Sequence, residues 1–182
     1  TFTSEVLNYN VSQELPSQTI KKANTEILYL DNSYVAFKEA IAFKESQGNY
    51  EAVNTLGYLG KYQFGITTLE LLGIENPDVF LKSPELQEKA FLVNTKRNKW
   101  VLQRDIKRFV GKKIGGIRIT ESGVLAAAHL AGPGNVKRYL RSYGTIDATD
   151  AYGTDILSYM SKFSSYDTSF VKAQKKTKLT FP

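Results

Sequence analysis

The chain has 182 residues, 42% hydrophobic and 23% charged, which is enough for one globular domain with a sizeable core and argues against disorder. Its 24 Lys and Arg against 18 Asp and Glu leave a net charge of +6, which favours an anionic partner such as nucleic acid, a membrane surface or an anionic cell-wall polymer without choosing among them. The absence of Cys excludes disulfides, thiolate metal sites and a Cys nucleophile, and no apolar run approaches the ~18 residues of a membrane span.

Residues 1–30 are rich in Ser, Thr, Asn and Gln and read as a lead-in packed on the main body. The opening TFTSEVLNYN lacks the basic-then-apolar pattern of a signal peptide, which leaves a removed signal, another export route or a cytoplasmic location. The main domain is expected over 31–163. Its first helix is predicted from Ser33 to Ser46, with Asp31, Asn32 or Ser33 as cap, and Tyr34, Phe37, Ile41 and Glu45 recur on one face. Glu45 thus falls one turn beyond Ile41, where it is either a carboxylate whose pKa burial raises or an exposed acid at a helix end.

Gly48, Gly57, Gly60 and Gly65 then predict a loop or small hairpin. In TTLELLGI, Thr67 and Glu70 form a capping-box pattern with Gly73 as the stop. Ser83-Pro84 opens a long helix to about Val110, whose Lys96, Arg97, Lys99, Arg104, Lys107 and Arg108 read as a solvated basic face rather than a binding stripe. A Lys- and Gly-rich turn follows at 111–116. Thr120 begins an apolar helix with small residues suited to close packing, and Asn135 is the expected cap of the next helix, which stops at Gly144. A last helix is expected from near Thr154, and 164–182 form a basic tail, extended or mobile. The fold class is therefore mainly α.

The residue inventory restricts the chemistry. One His, no Cys and no carboxylate cluster at ligand spacing give no support for a metal site, and no cofactor is implied. A Ser–His–Asp hydrolase would have to use His129, yet no Gly-x-Ser-x-Gly elbow accompanies it. GPGN and GKKIGG lack the context of phosphate-binding loops. Glycoside cleavage needs little more than a proton donor in a sugar-lined groove, which Glu45 beside tyrosines and amides fits best.

Separated segments then resemble the lysozyme-like superfamily, in its soluble lytic transglycosylase and goose-type lysozyme branch. Glu45-Ser46 in ESQGNY resembles the family's Glu-Ser motif, and Gly60-Lys61-Tyr62-Gln63-Phe64-Gly65 its Gly-Leu-Met-Gln segment. Ala127 to Val136 (AAHLAGPGNV) resembles Ala-Ala-Tyr-Asn-Ala-Gly-Pro-Gly-Asn-Val, with His129 in place of Tyr and Leu130 in place of Asn. A weaker match is Ile156 to Met160, whose Tyr159 would stand for the family's Tyr that supports the catalytic acid. Leu130 cannot make the polar contact of an Asn.

The resemblance implies a lysozyme-like helical domain acting on the β-1,4 bond from N-acetylmuramic acid to N-acetylglucosamine in peptidoglycan. Glu45 would be the catalytic acid/base, and Ser46, Tyr62, Gln63, His129 and Tyr159 would contact or support the substrate. It also implies an extracytoplasmic setting in the periplasm, cell envelope or medium, with secretion or phage machinery as further candidate partners. No Asp occurs between Asp31 and Asp78, and Glu51 and Glu70 are the carboxylates that follow Glu45 as far as Gly73. A lytic transglycosylase is therefore expected over a hydrolytic muramidase. An inactive wall-binding module, a chitinase-type activity and a nucleic-acid-binding helical protein are the competing readings, and the last ranks lowest.

Overall fold

The computed structural model describes residues 32–146 and 155–179, so the expected lead-in over 1–30 lies outside the described residues. Helices dominate: α1 (Tyr34–Ser46), α2 (Ile66–Leu71), α3 (Pro77–Leu81), α4 (Pro84–Phe109), α5 (Glu121–Ala131), α6 (Pro133–Arg141) and α7 (Ile156–Lys162). A two-stranded antiparallel hairpin, β1 (Lys113–Ile114) and β2 (Ile117–Arg118), joins α4 to α5.

The capping chemistry explains most of the helix starts. Ser33, Ser83 and Thr120 accept from the backbone N–H of Ala36, Leu86 and Gly123, and Asp155 accepts from that of Ser158, so each satisfies an N–H with no partner inside its helix. Two expected caps are corrected. Gly65 opens α2 with no side-chain cap, which puts Thr67 and Glu70 inside the helix. Pro133, with φ already suited to the first helical position, opens α6, and Asn135 donates back to Ala131 O at 2.8 Å. The short α3, capped by Asn76, is an element that the periodicity does not announce.

α5 lies at the centre, buried from Ser122 to Ala128 and packed on α4, α6 and α7. Its small residues matter at Gly123, where a Cβ would come within 2.5 Å of the Met160 carbonyl, so only Gly lets α7 approach this closely. That approach carries Tyr159, the neighbour of Met160, toward the end of α1.

The loop between α1 and α2 is fastened to α4 by charge. Lys61 Nζ donates to Glu39 and Glu88 at 2.8 Å each, and Tyr62 OH donates to Glu88 at 2.8 Å. Gln87 receives the Lys61 N–H at 2.8 Å and donates to the Tyr50 carbonyl at 2.9 Å. The basic segment after α7 is extended and held down as far as it is described. Val171 is fully buried, Thr168 Oγ1 donates to Glu121 at 2.7 Å, Gln174 N to Lys96 O at 3.1 Å and Leu179 N to Leu72 O at 2.8 Å.

Candidate active site

Phe37 and Ile41 are fully buried on the inner face of α1, and one turn later Glu45 emerges half-buried at the rim of a cavity of about 360 Å³. α1 ends immediately afterwards, at Gln47 with φ 56°, so the carboxylate sits at the mouth of the loop rather than along a continuing helix. The Tyr159 hydroxyl donates to Glu45 Oε1 from α7.

The cavity walls come from distant parts of the chain. Asn54, Tyr58 and Gln63 belong to the loop, Thr67 and Thr68 to α2, and Asn94, Arg97 and Asn98 to α4. The turn between α5 and α6 closes the remaining side with residues 128–133. Among the described lining residues Glu45 is the sole carboxylate; Glu51 and Glu70 are exposed and stand elsewhere.

The expected site residues divide into two groups. Glu45, Gln63 and His129 line the cavity. Ser46, Tyr62 and Tyr159 do not, and act behind it. Ser46 Oγ donates to Lys61 O at 2.8 Å, which ties the end of α1 to the loop. Tyr62, expected in the groove, is instead a core residue with no exposure, its ring stacked on Phe91 at 4.2 Å. The physical reason lies in the neighbouring backbone: Gln63 adopts φ 50°, and this turn keeps Tyr62 and Phe64 inside while leaving Gln63 at the cavity. The Gln63 amide donates to Gly60 O at 2.9 Å, so it also orders the loop.

His129 joins two of the sequence segments. Its Nε2 lies 2.8 Å from Tyr62 O, and because a carbonyl can only accept, this nitrogen carries the proton. The ring meets Phe64 and Phe91 edge to face, with centroids 5.3 Å away in each case. Burial lowers its pKa below the ordinary 6.5, against the opposing pull of Glu45 and the Tyr62 carbonyl, so the ring is neutral at pH 7. Nδ1 is then a bare acceptor, without a partner among the described residues. Leu130, where the resembling motif has Asn, contributes an apolar stretch of wall.

Sequence reasoning missed the α4 wall. Asn94 and Asn98 sit on the buried stripe of the helix with Phe91 and Leu102, at positions where an apolar residue is the norm. That interruption of the stripe was the available signal. Arg97, counted with the solvated basic face, lies half-buried beside them. Among the described residues no group of His, Asp and Glu could hold a metal ion, and no helix is long and apolar enough to cross a membrane. Comparisons with family models, curated proteins and solved structures give no match for this chain.

Proposed function

We propose that this protein is a peptidoglycan-cleaving lytic transglycosylase in which Glu45 serves as both acid and base. The observation that carries the reading is a cavity with a single lining carboxylate, Glu45, held on one oxygen by the Tyr159 hydroxyl. The resemblance of the Glu45, Gln63 and His129 segments to the lytic transglycosylase motifs supports the same reading, since these residues border one space.

Glu45 protonates the glycosidic oxygen as the bond to C1 of N-acetylmuramic acid breaks and an oxocarbenium-like centre forms. The resulting carboxylate then removes the proton from the 6-hydroxyl of the same sugar, whose oxygen bonds to C1. The product is a 1,6-anhydro sugar, no water is consumed, and Glu45 ends protonated for the next cycle. A hydrolase that activates water on the opposite face of the sugar ordinarily employs a second carboxylate, and this cavity offers none among its described lining residues.

The test is mass spectrometry of digested sacculi, wild type beside Glu45→Gln. Anhydro-muropeptides are expected from the wild type, with a loss of at least ~10²-fold in the variant. Hydrated reducing ends as the sole product would replace transglycosylation with hydrolysis, and undiminished lysis by Glu45→Gln would remove Glu45 from the chemistry. An intact wild-type protein without any wall-cleaving activity would point to a binding module.

A further inference from the structure

We propose that Asn94, Arg97 and Asn98 form a subsite on α4 that recognises a carboxylate carried by the glycan. This rests on the saccharide-cleaving reading above and assigns to the same cavity a preference for acidic over uncharged chains.

Three observations converge on it. The first is charge. Lys61 and Lys99, which are also sequestered from solvent, have their counter-ions in Glu39, Glu88 and Glu121. Arg97 borders the cavity half-buried, and no carboxylate lies within ion-pair distance of it among the described residues. A guanidinium in that position is suited to a two-pronged bond with a ligand carboxylate. The second is hydrogen bonding. Asn94 is 6% exposed, it borders the cavity, and its amide has no bond to protein among the described residues. A polar group so enclosed is stabilised by a partner, and the cavity is where one can enter. The third is Asn98, 2% exposed, which donates to Ala128 O at 3.4 Å and leaves Oδ1 unpartnered, an acceptor suited to an O–H or amide N–H of the sugar that bears the carboxylate.

Spacing makes these residues one unit. Positions 94, 97 and 98 follow the i, i+3, i+4 pattern, so a single helix presents an amide, a guanidinium and a second amide on adjoining turns. Glu45 lines the same cavity and is the one acidic side chain among its described lining residues. A ligand bridging the two would place neutral glycosidic oxygen at Glu45 and its own negative group at Arg97. Two carboxylate sources fit this chemistry: the lactyl group of a bare muramic acid, or the stem peptide attached to it.

The experiment is calorimetric titration of the non-cleaving Glu45→Gln protein. The ligands are an N-acetylglucosaminyl-N-acetylmuramic acid oligomer with free lactyl carboxylates, the same oligomer bearing dipeptide stems, amidated forms of both, and an N-acetylglucosamine tetramer. We expect one or both carboxylate ligands to bind at least about 10-fold tighter than their amidated counterparts. Adding Arg97→Gln should erase that difference, and Arg97→Lys should restore part of it, because charge remains but the planar fork is lost. Whichever carboxylate loses affinity on amidation identifies the source. Saccharide binding that ignores both amidation and Arg97→Gln overturns the subsite while leaving the glycan reading intact. Failure to bind any of the saccharides overturns both. An unchanged urea midpoint in Arg97→Gln keeps the result separate from unfolding, and if the midpoint falls, the Arg97→Lys titration decides.

Discussion

Tyr159 reaches Glu45 from a helix that is separated from α1 by most of the domain, and it does so because Gly123 lets α7 sit against α5. Its hydroxyl fixes the orientation of the carboxylate without bordering the cavity itself, which makes it a positioning residue. Tyr159→Phe should therefore lower kcat by roughly 10- to 100-fold and leave KM nearly unchanged, because a misplaced acid slows proton transfer more than it weakens binding. Steady-state turnover of soluble muropeptide oligomers measures both, and a change confined to KM would place Tyr159 in substrate binding instead. At this scale Glu45 was legible because it continues the stripe of Phe37 and Ile41 beyond its last apolar member. Tyr62 was not, since groove and core tyrosines look alike until the φ of Gln63 decides which side each residue takes. Asn94 and Asn98 were hidden for another reason: a buried amide breaks the apolar pattern in the same way whether it faces protein, as Gln87 does, or a cavity.

Between elements, the cluster of Lys38, Lys61 and Glu88 with Tyr50 and Tyr62 holds the loop between α1 and α2, and α1 itself, against α4. Burial alone would push the Glu88 carboxyl up, but bonds from Lys38, Lys61, Tyr50 and Tyr62 outweigh it and bring its pKa from 4.5 to about 2. A carboxyl whose folded pKa lies below its unfolded value contributes its full stability above about 4.5, and that contribution fades as pH falls toward about 2. Glu88→Gln should accordingly destabilise the protein by about 2 kcal/mol at pH 7, less than a fully buried pair would because Glu88 is 26% exposed. Urea unfolding across this range checks the sign: the gap between wild type and variant should narrow from pH 4.5 to pH 2, and a constant gap would assign the loss to packing rather than charge. The helices themselves were well marked, with Ser33, Ser83 and Thr120 standing where caps belong. The partners of Lys61 were not, because ion pairs 22 and 27 residues apart follow from the fold and leave no local pattern.

Across the molecule, the segment after α7 shows how composition can mislead about packing. A run such as KAQKKTK is read as solvated, and its lysines are indeed exposed. The backbone nevertheless follows a path from the start of α5 along α4 to the end of α2, fastened by Thr168, Gln174 and Leu179. Val171 is the apolar anchor of that path, with no exposure, and its two methyl groups fill space that water would otherwise reach. Truncating them removes favourable transfer energy and leaves a void, so Val171→Ala should cost about 2 kcal/mol and lower the urea midpoint by on the order of 1 M. The consequence extends to the site. Gln174 donates to the Lys96 carbonyl, on the helix turn that carries Arg97, and Leu179 donates to Leu72 at the end of α2, which contributes Thr67, Thr68 and Leu71 to the cavity lining. Loosening the segment should therefore speed amide exchange in α2 and around residue 96 before it affects α7. Hydrogen exchange of the variant distinguishes this strap from an independent basic arm, for which Val171→Ala would leave both the midpoint and those amides unchanged.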